Sequence, residues 1–463
     1  MASRLRLDVL DPRPARRLLA SPVFPLALQA AAVIAVVLLV VNGWGLGTGA
    51  SAAELKTLRK TNLTTLFVWG LWWPGMIAAA LLLGRAWCTV CPMELVNRLG
   101  AAAGRRLGIA RLPTWGLLRA GWAVVAAYLS LQLLVAGASI HRVPHYSALL
   151  LVALLASALA TGLLFREPRS FCKSFCPAGA LLSVYGRFTP LQLETRDPAV
   201  CDACETRDCV AAVNRDRLDR RSCPSLLRPF ARTSGDGCVL CLQCAKVCPR
   251  ENVGLGLAPP EAPSRAHRLL RPAEAAFVMV ASGFVTHELA GEVPWLEGIF
   301  HRVPEALAPA GGAAAWAEAA WFLVGFPALL WLAIAAVARA AGHRGSPREL
   351  LAAAATGAAP VVAVAHLAKA LAKLASWGGY LPLALRDPAG VDTLHAIGAK
   401  ALVPPGALAP LPVVGAAVLA GVLALAAWSW RRSGAGGPAR AGRAGAVGAA
   451  LLFSAVLGVW ITG

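Results

Sequence analysis

The sequence predicts an all-α polytopic membrane protein of about nine transmembrane helices, interrupted by one small soluble α+β domain. Three observations lead to this fold class. Of 463 residues, 57% are hydrophobic and only 15% are charged, whereas soluble chains carry about 25% charged residues. Apolar stretches of membrane-spanning length recur along most of the chain, and one polar, cysteine-rich segment near the middle interrupts them.

The apolar stretches give the domain organisation. A transmembrane helix needs about 20 predominantly apolar residues. We predict such helices at 23–43, 63–84, 115–137, 147–165, 273–291, 316–338, 351–376, 407–430 and 444–462. They define a membrane domain of four helices at 1–188, a soluble domain at 189–267 and a membrane domain of about five helices at 268–463. The basic N-terminus resembles a signal peptide, but the apolar stretch after it is long enough to span, so we expect it to be retained.

The distribution of basic residues predicts the orientation. The formal net charge is +20, a balance that is also found in nucleic-acid-binding proteins. Here the basic residues collect on alternate loops, as cytoplasmic loops of membrane proteins do. They include Arg16, Arg17, Arg98, Arg105, Arg166, Arg169, Arg339, Arg344, Arg431 and Arg432. We therefore expect a multi-pass protein of the bacterial inner membrane, with every cysteine motif cytoplasmic and no nucleic-acid partner.

The most specific motif is a run of four cysteines in the soluble domain. It reads Cys238-x2-Cys241-x2-Cys244-x3-Cys248-Pro249, which is the spacing of bacterial ferredoxins. Three closely spaced thiolates bind one [4Fe–4S] cluster, and the fourth cysteine of such a run binds the other cluster of a pair. The sequence therefore predicts a two-cluster ferredoxin-like domain.

A looser set of cysteines precedes this run. It supplies the remaining ligands that two clusters need. It consists of Cys201-x2-Cys204-x4-Cys209, followed by Cys223-Pro224. We predict that Cys201, Cys204, Cys209 and Cys248 bind the first cluster. Cys238, Cys241, Cys244 and Cys223 are predicted to bind the second. A pair of zinc sites is the alternative, because Cys-x2-Cys pairs also suit zinc.

Two further cysteine pairs follow predicted membrane helices. Cys88-x2-Cys91-Pro92 comes after the second helix and Cys172-x3-Cys176-Pro177 after the fourth. Even-numbered helices end on the same side of the membrane, so the two pairs can meet. Nearby Arg85, Arg169 and Lys173 would lower the thiol pKa values.

Paired Cys-Pro motifs after two membrane helices, followed by a two-cluster domain, resemble the NapH/NosR/CcoG-type membrane ferredoxins. The resemblance covers about residues 63–255, and Cys88–Cys91 is one residue shorter than the family's usual Cys-x3-Cys-Pro. It implies an iron–sulfur protein that relays electrons between a quinol or a soluble ferredoxin and a membrane or periplasmic redox protein, with the quinol dehydrogenase of an oxidoreductase system as one such role. The alternatives are a copper reductase or maturation factor for a respiratory metalloenzyme, and a redox-gated transporter or sensor.

The role of the four membrane-edge cysteines stays open at this point. Cys88, Cys91, Cys172 and Cys176 can hold a third cluster or another metal, because four thiolates suit either. They can also cycle as a disulfide. The remaining alternative is that these cysteines are free buried thiols with no metal-binding or redox role.

Two histidines lie within predicted helices of the C-terminal domain. His287 and His366 fall at similar depth on different helices, and intramembrane ionisable residues indicate function. Such a pair can bind haem b or line a quinone site, with Lys369 and Lys373 on the His366 face of its helix. Polar packing between helices is the alternative.

Overall fold

The structure is a computed structural model that describes residues 5, 7–217, 220–231, 235–258, 268–307, 312–433 and 437–462. Its longer helices span Leu26–Gly43, Ala52–Thr61, Trp73–Leu83, Pro92–Arg106, Trp122–Gly137, Pro144–Leu164, Pro272–Ala290, Pro294–Leu307, Gly312–Ala320, Phe326–Ala340, Pro347–Gly378, Val391–Gly398, Leu411–Arg432 and Gly437–Thr462. Short helices span Arg13–Leu19, Leu63–Thr65, Trp87–Val90, Gly116–Arg119, Ser170–Ser174, Gly179–Tyr185, Pro198–Asp202, Gln243–Val247 and Leu381–Arg386. π-Helical turns at Leu66–Trp72 and Trp321–Gly325 join neighbouring helices.

Within the described residues, seven helical segments are long and apolar enough to cross a membrane. They are Leu26–Gly43, Leu63–Arg106, Pro144–Leu164, Ala313–Ala340, Pro347–Gly378, Leu411–Arg432 and Gly437–Thr462. Large apolar side chains such as Leu28 and Ile34 are exposed on them, as lipid-facing side chains are. The predicted fold class, a helical membrane protein with a small mixed domain, is confirmed.

Two predicted spans have a different form in the structure. The stretch at 115–137 is divided by Gly121, whose φ of 88° interrupts the helix, so that only Trp122–Gly137 is continuous. The stretch at 273–291 forms the 19-residue helix Pro272–Ala290, which carries two glutamates and a histidine and is therefore less apolar than the seven. The total of nine transmembrane helices stays a prediction.

Contacts group the chain into two compact units rather than three consecutive segments. The first unit comprises Met1–Val37, Ala79–Arg119 and Ala153–Arg268, and it holds all twelve cysteines. The second comprises Leu38–Ala78, Ala120–Val152 and Leu269–Gly463. The predicted domain boundary at 188 falls inside the first unit, and the one at 267 lies outside the described residues. Both boundaries stay predictions.

A three-stranded antiparallel sheet anchors the soluble part of the first unit. Its order is β1 (Leu7–Asp8), β3 (Val253–Leu257), β2 (Leu191–Thr195). Leu7 pairs with Leu257 and Leu191 pairs with the same residue from the other side. A Cβ at Gly256 would lie 1.6 Å from the Leu7 carbonyl oxygen, so only glycine lets β1 approach β3. Leu7 and Asp8 therefore belong to the sheet beside the cysteine-rich loops.

Small residues pack the helices of the second unit. The 32-residue helix Pro347–Gly378 contacts Leu411–Arg432 and Gly437–Thr462 along its length. A Cβ at Gly357 would lie 1.9 Å from the Gly442 carbonyl oxygen, and one at Gly445 would lie 2.0 Å from that of Ala354. Such close backbone approach is typical of membrane helices, where van der Waals packing replaces the hydrophobic effect.

Candidate functional site

Four thiols of the ferredoxin-like run and its partner line one cavity of the first unit. They are Cys223, Cys238, Cys241 and Cys244, and we call this group site B. Between them, Leu240 and Leu242 have φ values of 53° and 59°, which is unusual for bulky residues. Alternating left-handed residues turn successive backbone N–H groups into a concave loop, the arrangement that many iron–sulfur sites use.

The remaining four thiols of this region line a neighbouring cavity. Cys201, Cys204, Cys209 and Cys248 lie there, and we call this group site A; Cys244 also contributes to its wall. Asn252 joins two of the four, because its backbone N–H donates to Cys248 Sγ and its Nδ2 donates to Cys201 Sγ, both at 3.3 Å. The structure therefore brings these four thiols together around one cavity, and their assignment as ligands of one cluster stays a prediction.

The two Cys-Pro pairs also come together in the first unit. Cys91, Cys172 and Cys176 pack around the buried side chains of Met93 and Phe171. Cys88 lies near enough to Cys172 and Cys176 to interact with them electrostatically. We call these four thiols site C.

A close helix crossing positions site C. Pro92–Arg106 starts directly after Cys91, and Pro144–Leu164 ends shortly before Cys172. A Cβ at Gly162 would lie 2.1 Å from the Asn97 carbonyl oxygen, so the crossing requires glycine. The buried Asn97 amide donates to the Ala158 carbonyl oxygen at 2.9 Å and to Ser170 Oγ at 3.1 Å, which fixes one Cys-Pro segment to the other.

Hydrogen bonds connect the three sites in series. Thr89, between Cys88 and Cys91, donates from Oγ1 to the Val239 carbonyl oxygen at 2.8 Å, and Val239 lies between Cys238 and Cys241. The Cys223 N–H donates to the Cys209 carbonyl oxygen at 2.8 Å. Site B therefore lies between site C and site A.

Buried charges surround the junction of sites B and C. The carboxylate of Glu94, three residues after Cys91, pairs with Arg221 at 2.6 Å, and both side chains are buried. Gln29 Nε2 donates to the second Glu94 oxygen at 2.7 Å. Arg169 is buried with a φ of 61° and donates to Ser225 Oγ at 3.1 Å. Its guanidinium acts electrostatically on Cys172 and Cys241 together, so it lies close to both sites.

Without a bound metal, the thiols of Cys176, Cys209 and Cys241 favour the protonated form. Burial and neighbouring thiols raise the pKa of Cys209 to about 11. Burial, followed by Cys172 and Cys88, raises the pKa of Cys176 to about 12, and burial together with Cys223 raises that of Cys241 to about 12. Basic neighbours act in the expected direction, since Arg169 and Arg85 lower the pKa of Cys172 and Arg85 lowers that of Cys176, but burial outweighs them and both pKa values lie above the usual range. Grouped, buried thiols of this kind become thiolates when metal charge compensates them, so the donor set fits an iron–sulfur core.

The second unit contains a polar cavity of about 680 Å³. Its walls include the predicted residues His287, Lys369 and Lys373. Glu288 lies between the two lysines, at 3.7 Å from Lys369 Nζ and 3.8 Å from Lys373 Nζ. The polar residues that interrupt the apolar pattern of these helices therefore include residues that line the cavity.

The two predicted histidines occupy different environments. His287 lines the cavity, and its ring lies 4.4 Å from that of Phe322. His366 is 2% exposed and meets Phe284 edge to face at 6.0 Å between ring centres. Their predicted roles as haem or quinone ligands stay predictions, which a haem Soret band in the purified protein would test.

Several site residues are not identifiable from the sequence. Asn252, Thr89 and Glu94 match no sequence motif of their own. Each contacts a segment that is distant in the chain. Asp8 is a further example, since it accepts hydrogen bonds from the Leu255 N–H and pairs with Arg196 at 2.7 Å. The only available signal was the position of Thr89 and Glu94 within or just after a Cys-Pro motif.

Comparison with known proteins places the cysteine pairs in a recognised iron–sulfur context. A family model described as a 4Fe-4S binding domain matches residues 65–109 and 147–192. The matched segments contain Cys88, Cys91, Cys172 and Cys176, which are the thiols of site C.

Individual relatives are distant. The uncharacterized protein MJ0749 of Methanocaldococcus jannaschii is 29% identical over 175 residues, 37% of this chain and 64% of that protein. Protein NirI of Paracoccus denitrificans is 26% identical over 239 residues, 45% of this chain and 33% of that protein. This chain therefore covers less than two thirds of either relative. No solved structure matches significantly. The 4Fe-4S match and the similarity to NirI nevertheless agree with the Cys-Pro pattern and support the resemblance of this chain to NapH/NosR-like 4Fe–4S membrane proteins.

Proposed function

We propose that the protein is a membrane-bound electron carrier whose three thiol sites form a linear relay. Sites A and B each hold one [4Fe–4S] cluster through the eight cysteines assigned above, and site C holds a third. Such clusters supply one-electron chemistry with potentials tuned by charge, burial and hydrogen bonds to sulfur. The observation that carries the proposal is the grouping of the thiols, four per site, with hydrogen bonds between the loops of neighbouring sites.

The surroundings of sites A and C indicate which kind of partner each site exchanges electrons with. The loop that carries site A is largely exposed between Asp202 and Arg207, which suits exchange with a soluble partner such as a ferredoxin. Site C follows two membrane helices, which suits exchange with the quinone pool or with a membrane or periplasmic redox protein. The Thr89–Val239 and Cys223–Cys209 hydrogen bonds hold the loops of neighbouring sites in contact. We infer that the sites face the cytoplasm of a bacterial inner membrane, because the neighbouring loops are rich in arginine.

Metal analysis of anaerobically purified protein tests the proposal. We expect about twelve irons and as many sulfides per chain, since each cubane holds four of each. The double variant Cys172→Ser/Cys176→Ser should retain about eight irons, and Cys241→Ser should lose the signal of site B in EPR spectra. Ser174→Ala, which changes a buried residue between Cys172 and Cys176, is the matched control and should keep about twelve.

The outcomes separate the parts of the proposal. Eight irons in the wild type, unchanged in the Cys172→Ser/Cys176→Ser variant, would remove site C from the relay and leave sites A and B. Colourless protein, or zinc in place of iron, would exclude the electron-carrier function altogether.

A further inference from the structure

Three side chains of the second unit converge beside the polar cavity, away from all twelve thiols. His287 comes from helix Pro272–Ala290, His301 from helix Pro294–Leu307 and Glu318 from helix Gly312–Ala320. Glu318 Oε1 lies 3.1 Å from His301 Nε2 and 3.6 Å from His287 Nδ1. One ligand atom of each residue lies within 4.8 Å of the other two.

These separations match the coordination sphere of a metal ion. Bonds from a transition metal to imidazole nitrogen or carboxylate oxygen measure about 2.0–2.2 Å, so neighbouring ligand atoms of a tetrahedral site lie about 3.3 Å apart. The two separations measured from Glu318 lie on either side of this value. We infer that His287, His301 and Glu318 form a binding site for a divalent first-row transition metal ion.

The donor set decides the class of metal. Two imidazoles and one carboxylate suit zinc, iron(II), copper(II) or nickel(II). Magnesium and calcium prefer oxygen ligands throughout. The site also differs in its donors from sites A, B and C, whose thiols suit iron–sulfur clusters.

The surroundings hold the ligands in place. The ring of Phe322 lies 4.4 Å from that of His287 and 6.4 Å from that of His301. Phe300 also packs on Phe322, at 5.8 Å between ring centres. These aromatic contacts restrict the orientation of the two imidazole rings.

The site has room for an additional ligand. His287 and Glu318 line the 680 Å³ cavity, so a metal ion held by these residues would lie beside open space. Three protein ligands with an open fourth position are typical of sites that bind exchangeable water or a small molecule rather than of closed structural sites. The metal is therefore expected to carry an exchangeable water.

Metal-binding measurements on the full-length protein test this inference. The protein, purified anaerobically in detergent with its clusters in place, is dialysed against Zn²⁺, and bound zinc is measured by mass spectrometry. We expect one zinc per chain that is absent, or bound at least about tenfold more weakly, in His301→Ala and Glu318→Gln. Glu297→Gln changes another carboxylate of the same cavity and should bind zinc as the wild type does.

Iron content serves as an internal measure of folding and of thiol occupancy. Zinc held by empty thiol sites would be unaffected by His301→Ala and Glu318→Gln, so the difference between these variants and Glu297→Gln isolates the proposed site. Equal zinc binding in all four proteins at equal iron content would overturn the inference, as would a wild type that binds no zinc. Neither result would alter the iron counts on which the proposed electron-transfer function depends.

Discussion

Side chains that bind no metal determine the surroundings of the predicted clusters. Asn252 is 5% exposed and reaches two thiols of site A, while its amide oxygen accepts from the Asp197 N–H at 2.9 Å. N–H donors to sulfur stabilise the reduced, more negative cluster and raise its potential. The position of Asn252 therefore makes it a tuning residue of site A.

We expect Asn252→Ala to lower the potential of the site A cluster while the iron content stays unchanged. Loss of one net hydrogen bond of 0.5–1.5 kcal/mol corresponds to roughly 20–65 mV for one electron. A redox titration followed by EPR measures the shift. Asn214→Ala is the control, because the Asn214 amide donates to Asp208 at 3.3 Å. A potential that moves equally in both variants would rule out a specific effect of the Asn252 amide.

The buried Glu94–Arg221 pair predicts a large effect on stability. Glu94→Gln leaves the Arg221 guanidinium buried without its counter-charge, which costs about 3–5 kcal/mol. We therefore expect the iron–sulfur absorbance to be lost at clearly lower temperature than in the wild type.

An exposed ion pair gives the matched comparison. Glu251 pairs with Arg16 at 2.6 Å, but the Glu251 side chain is 71% exposed, and pairs of this kind contribute about 0–1 kcal/mol. Glu251→Gln should therefore leave the thermal transition almost unchanged. Similar transitions for Glu94→Gln and Glu251→Gln would contradict the structural importance of the buried pair.

Between elements, the crossing of Pro92–Arg106 with Pro144–Leu164 determines whether the two Cys-Pro pairs meet. The helices approach so closely at Gly162 that a side chain has no space. The sequence predicts Pro144–Leu164 from its hydrophobicity, as the span at 147–165, whereas Pro92–Arg106 lies beyond the predicted span at 63–84 and is not apolar enough to be predicted in this way. The sequence does not predict the crossing point, because glycines occur throughout both membrane domains and only the packed structure shows which of them are in contact.

We expect Gly162→Val to separate the two Cys-Pro pairs and to remove site C selectively. The measurement is iron content, which should fall from about twelve to about eight while the EPR signals of sites A and B remain, since each cubane holds four irons. Gly116→Val is the control, because a Cβ at Gly116 meets no atom within 4 Å. Full iron content in Gly162→Val would show that site C does not depend on this crossing.

The small sheet shows a second limit of sequence-based prediction for elements. β1 at Leu7–Asp8 pairs with β3 at Val253–Leu257, although the N-terminus reads as a basic segment ahead of the first membrane helix. Two residues are too few for a recognisable strand pattern. Their partner strand, β3, also lies far along the sequence. The pairing therefore depends on tertiary contacts such as the Asp8–Arg196 ion pair.

For the whole molecule, the distribution of arginine predicts the membrane topology. Loops with basic residues near the ends of spans remain in the cytoplasm. We expect alkaline phosphatase fused after Gly342 or Ser433 to be inactive, and the same enzyme fused after Ala401 to be active, because it functions only after export. Fluorescent-protein fusions at the same positions should give the opposite pattern. Activity after Gly342 and Ser433 would place these loops outside and reverse the proposed orientation.

The sequence by itself determined the helical membrane fold, the iron–sulfur character and the grouping predicted for the cysteines. These properties depend on hydrophobicity and on short, fixed spacings, which are local. The tertiary structure decided that site B lies between sites A and C, that Asn252, Glu94 and Thr89 border the thiols, and that His287 meets His301 and Glu318. Those relations join residues distant in the chain, and packing between helices, rather than any local pattern, brings them together.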